Sequence, residues 1–164
     1  MEEKLTALKE ILETEQECFR SLYEIAEKKK DNIIENEVKD LKEVVEEENQ
    51  VVSRLEDLEK QRVELVKKLS QELGIEGEEV KYSHLIEELP GAWKEKLHPL
   101  RLELLETIAE VHGQNQQNKT LIQEALRLNN FSMKIFTKIM DSDIYNDKGT
   151  AENNASRHII DRRG

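Results

Sequence analysis

The residues best suited to acid–base or metal chemistry are His84, His98, His112 and His158, and only His98 follows a carboxylate, Glu95, in a Glu-x-x-His spacing. A di-iron bundle needs that motif twice, with two further carboxylates on facing helices. One copy is what chance supplies in so acidic a chain. A glycine-rich phosphate loop, paired cysteines and a nucleophile elbow are missing from the sequence. The reading is therefore a non-enzyme with no catalytic residue, no metal site and no cofactor.

The remaining chemistry is that of recognition. Between Trp93 and Asp141 the apolar pattern stays helical, while its middle, VHGQNQQNKTLIQEALRLNNFSMKIF, is rich in amides. Asn115, Asn118 and Asn129 fall in the apolar phase, where a buried amide either fixes register or bonds to a partner's backbone, the other reading being an exposed polar face. Phe131, Met133, Ile135, Phe136, Ile139 and Met140 then crowd into one short stretch. Tyr145 follows, which is either disordered or an anchor of the aromatic kind that interfaces favour.

Composition sets the elements that must carry these residues. With 37% hydrophobic, 37% charged and only 4% aromatic residues, the core has to be aliphatic and laid out in seams. In the first segment Leu5, Leu8, Leu12, Glu15, Phe19, Leu22, Ala26, Lys29 and Ile33 advance by three and four, which predicts a helix over 2–34. Asn36 marks its end. Leu41, Val44, Glu48, Val51, Leu55, Leu58, Arg62, Leu65 and Leu69 repeat the rule and predict a second helix over 37–73. A link this short makes the two an antiparallel hairpin.

Residues 74–90 form a connector, in which SHLIEELP can wind a short turn and lay Leu85, Ile86 and Leu89 over one end of the hairpin. The third helix is expected over 91–141, with Pro99 kinking it or delaying its start. The polar stretch 142–164 is expected to be a flexible tail. The fold class that follows is all-α, an elongated antiparallel three-helix bundle or coiled coil with an overlong third helix.

The lengths do not match. The first two helices span roughly 50 to 55 Å and the third roughly 75 Å. If the third runs antiparallel to the second, it passes the hairpin turn near Leu128, and NNFSMKIFTKIM overhangs without cover. Several bare side chains of this size mark a partner site, a dimer contact or a fold-back of the tail. Ile135 and Phe136 belong to that surface.

The net charge of −11 repels phosphate backbones and anionic headgroups, so neither nucleic acid nor membrane insertion is expected. Residues 1–76 hold 13 cations against 22 carboxylates. Cys18, the single cysteine, reads as a core thiol. The acidic start MEEKLTALKE is the reverse of a signal peptide, which predicts a cytoplasmic protein.

The stretch LIEELPGAWKEKLHPLRLELLETIAEVHGQNQQNKTLIQEALRLNNFSMKIF, the YNDKG element at 145–149 and the terminal SRHIIDRR together resemble the FlgN family of flagellar export chaperones. Helices one and two, with IIENEVKDLKEVVEEE around the first turn, look similar to it too. The specific part is Asn118, Leu121, Ile122, Leu126, Asn130 and Phe131, followed by Tyr145 and Gly149.

The resemblance implies a cytosolic chaperone that keeps the helical terminal segments of the hook-filament junction proteins FlgK and FlgL from associating and delivers them to the type III export gate. It implies client binding through Asn118 to Phe131, a range that includes Leu128, and docking on the gate through Tyr145. The chaperone is expected as a monomer or weak homodimer, and the alternative is a structural coiled-coil adaptor that dimerises through the same surface, with no export role.

Overall fold

Alternating three- and four-residue steps of leucine wind the first helix, α1 (Glu2–Glu35), and its end is set by Asn36, which takes the left-handed conformation at φ 59°. Asparagine tolerates that region better than most residues. The Asn36 N–H donates to the Ile33 carbonyl and the Glu37 N–H to the Asn32 carbonyl, so the last turn is closed by a Schellman motif. The second helix, α2 (Val38–Leu73), ends in the same way at Gly74, φ 67°, where the missing Cβ removes the steric penalty. A short α3 (Tyr82–Glu88) and a long α4 (Gly91–Ile160) complete an all-α chain, with no strand among the described residues.

The computed structural model describes the backbone of residues 1–75 and 82–160 and the side chains of 1–75 and 82–141. The chain comprises two compact units, Met1–Leu121 and Ile122–Gly164.

In the first unit, ion pairs show that α1 and α2 run in opposite directions. Lys4 pairs with Glu72, Arg62 with Glu15 at 3.0 Å and Lys29 with Glu48 at 2.9 Å, so numbers fall along α2 as they rise along α1. The first part of α4 runs with α1. Gln16 donates to the Thr107 hydroxyl at 2.9 Å, and Asn118 donates to the Ala26 carbonyl at 2.7 Å.

Between the helices lies an aliphatic core of Leu5, Leu8 and Leu12 from α1, Val66 and Leu69 from α2, Leu85 and Ile86 from α3, then Leu89, and Leu97 and Leu104 from α4. The short helix and the residue that follows it thus lay Leu85, Ile86 and Leu89 onto the core. Trp93 packs against the same core from its edge, with the Lys96 ammonium 4.7 Å from its ring. A second cluster gathers Leu22, Ile25 and Val111.

Two sequence expectations require correction. The last helix does not stop near residue 141; it continues to Ile160 and is 70 residues long. Each residue added to an existing helix gains a hydrogen bond without a new nucleation cost, and no proline follows Pro99 to interrupt it. Polar composition was a weaker guide than that cooperativity. Pro99 does not delay the start of the helix, which begins at Gly91 and includes it. The flexibility expected of the 142–164 tail falls on side chains, and on residues 161–164, that lie outside the described residues.

Glu15 is a buried carboxylate on the α1 seam. Burial raises its pKa above the ordinary 4.5, while the charge and hydrogen bond of Arg62 act to lower it. The folded chain therefore holds this proton more tightly than the unfolded chain. Its stabilising contribution is full below about pH 4.5 and is lost as pH rises through the folded-state value. Relative to Glu15→Gln, the wild type should lose stability as pH climbs from about 4 into the neutral range. Urea midpoints measured for both across that range check this, and a constant difference would contradict it.

Candidate functional site

The α4 seam expected from the sequence is buried only as far as Asn118. Leu97, Leu104, Val111 and Asn118 are buried, with Thr107 and Gln114 beside them. Asn118, 2% exposed, spends its amide inside the chain: its N–H reaches the Ala26 carbonyl, and its Oδ1 accepts from Gln114 at 3.5 Å. The register role offered by a seam asparagine is therefore made within the chain. Among the expected client-binding positions it is thus the buried one in the free chain. Asn115 is half-buried, and Asn129 is exposed.

Past Leu121, which is half-buried, the character changes. In the second unit Ile122, Leu126, Leu128, Asn130, Phe131, Ile135 and Phe136 are all exposed. Leu128 is 65% exposed, Phe131 63% and Phe136 60%. At about 100° per residue these side chains sort onto two seams. One runs Ile122, Leu126, Asn129, Met133, Phe136 and Met140, in strict steps of four and three. The other runs Leu128, Phe131, Ile135 and Ile139. Met133, Ile139 and Met140 complete the surface; the sequence places them in the bare overhang, though outside the narrower set of client-binding positions.

An open recess of about 490 Å³ lies on the second seam, lined by Leu128 and Phe131 with Glu124, Arg127, Asn130 and Lys134 around them. It is shallow and borne by one helix, so it suits a side chain of a docked helix better than an enclosed small molecule. Glu124 and Arg127 pair at 3.4 Å on its rim. Tyr145 lies on the α4 backbone, and its side chain falls outside the described residues.

Elsewhere, Glu95 and His98 are both exposed. Among the described residues no three or more His, Cys, Asp or Glu side chains gather as metal ligands. No described helix is long and apolar enough to cross a membrane. Cys18 is a free, buried thiol whose pKa is raised by burial.

A helical unit with its own aliphatic core, joined in sequence to a helix that bares two apolar seams, is the design of an α-helical protein-binding protein. Residues 1–153 match the family model described as FlgN protein. The chain belongs to the FlgN family, whose members act as flagellar export chaperones. No curated protein and no solved structure matches it.

Proposed function

We propose that the chain is a cytosolic chaperone for the hook-filament junction proteins FlgK and FlgL, holding their helical terminal segments apart and handing them to the flagellar type III export gate. The observation that carries this reading is the pair of exposed seams between Ile122 and Met140. An amphipathic helix is recognised by laying its apolar face against such a surface, with anchors three, four and seven residues apart. Ile122, Leu126, Leu128, Phe131, Ile135 and Phe136 serve as client anchors, with Leu121 and Asn130 at their margin. The residues before them, read as an antiparallel three-helix coiled coil, supply the stable base. On the continuation of α4 beyond residue 142, Tyr145 docks on the gate.

Burial of apolar surface drives capture, so no nucleotide or cofactor enters the cycle. Competition at the gate releases the client. Co-expression with FlgK and FlgL, followed by size-exclusion chromatography, tests the reading. Stable complexes are expected, and the absence of one with either protein overturns it. Sedimentation over a range of concentrations adds the other outcome, a tight obligate homodimer that covers Phe131 to Met140 and leaves the client no place.

A further inference from the structure

Between Ala125 and Met140 the sequence holds three cations, Arg127, Lys134 and Lys138, and no carboxylate, although the chain as a whole carries a net charge of −11. The three succeed one another by seven and four residues, which sets them on one side of the helix, beside Phe131. All are exposed. Arg127 pairs with Glu124, and no ion pair involves Lys134 or Lys138 among the described residues. The Leu128–Phe131–Ile135–Ile139 seam is thus bordered along one flank by positive charge. In helix pairs the residues bordering an apolar seam set partner choice by charge.

A second copy of this chain does not satisfy that flank. An antiparallel copy of the seam sets the cations against themselves, and a parallel copy sets them against Ala125 and Ser132. The acidic α1 and α2 of another copy offer a poorer match: most of their leucines lie in or against their own core, and what they leave exposed is Ile34 and the short valines Val38, Val45, Val52 and Val63.

Resting on the reading of this surface as the client site, we propose that the Leu128 to Ile139 seam takes an amphipathic helix of another protein that carries carboxylates along the flank facing Arg127, Lys134 and Lys138. Local charge decides the choice. At about 0.15 M salt the screening length is about 8 Å, so the cations bordering the seam act on a helix docked there, and charges more than that length away are largely screened.

The test uses two synthetic peptides that share one apolar heptad sequence and differ only in having Glu or Lys at the flanking positions. Titrated against the full chain at about 0.15 M salt, the Glu peptide should bind about tenfold more tightly, since exposed charge pairs contribute modestly but three act together. At about 1 M salt, where screening falls to about 3 Å, the preference should vanish. The variant R127E/K134E/K138E, changed only at exposed positions, should prefer the Lys peptide. Equal affinities at the lower salt, or a preference of the wild type for Lys, overturns the proposal, as does a homodimer that excludes both peptides. If FlgK and FlgL complexes form and persist unweakened in the triple variant, the charge inference fails while the client reading stands. If the Glu peptide binds but neither protein does, the client reading fails and the charge inference stands.

Discussion

Replacing Leu128 and Phe131 together by aspartate is expected to abolish capture of FlgK and FlgL while leaving the helix content and urea midpoint close to wild type. Both side chains are mostly exposed in the free chain, so little native packing is lost there. In a complex they become anchors, and burying one such side chain contributes roughly 1.5 to 3 kcal/mol. Aspartate removes that gain and forces an unpaired carboxylate into the contact, which adds a desolvation cost. Losing two anchors should weaken binding by at least about a thousandfold, since each 1.4 kcal/mol is a factor of ten. Isothermal titration with the purified client measures it. Affinity within about tenfold of wild type would move the client site away from this seam. Leu121 is better left intact, because it is half-buried and its replacement would mix binding with packing.

The helices were legible because their signals are local. Three- and four-residue steps wind α1 and α2, and the stop at Asn36 is a left-handed cap that asparagine accepts readily. The antiparallel hairpin followed from the short link, and Lys4–Glu72 and Arg62–Glu15 show it. Two features were hidden. The seam of α4 keeps its phase through Asn118 and beyond, so periodicity does not tell where a covered seam becomes a bare one; only the neighbours Ala26 and Gln114 reveal that Asn118 is occupied inside the chain. The end of α4 was hidden for the opposite reason. Asp, Asn and Gly after residue 141 lower helix propensity one at a time, but propagation from an existing helix outlasts weak local preference. The bared seams themselves were readable in outline, because Phe131 to Met140 brings too many large apolar side chains for one helix to hide.

Leu69→Ala is expected to produce the largest loss of stability, about 2 to 5 kcal/mol, with no direct effect on the client surface. Leu69 is fully buried in the cluster that joins α1, α2, α3 and α4. Its truncation removes transfer energy and leaves a cavity lined by aliphatic neighbours, which fixed helices can close only in part. Against a total stability of about 5 to 15 kcal/mol, that is a large share. Leu128→Ala makes the opposite case: the same chemical change at a 65% exposed position should shift stability by no more than about 0.5 kcal/mol. Urea unfolding followed by circular dichroism separates the two, and client titration on each folded variant completes the comparison. Leu69→Ala should keep its affinity under conditions where it is folded, whereas Leu128→Ala should bind more weakly. Equal destabilisation by the two would mean that Leu128 is covered in the free chain, and the bare seam would no longer be available to explain why this helix carries so much apolar surface.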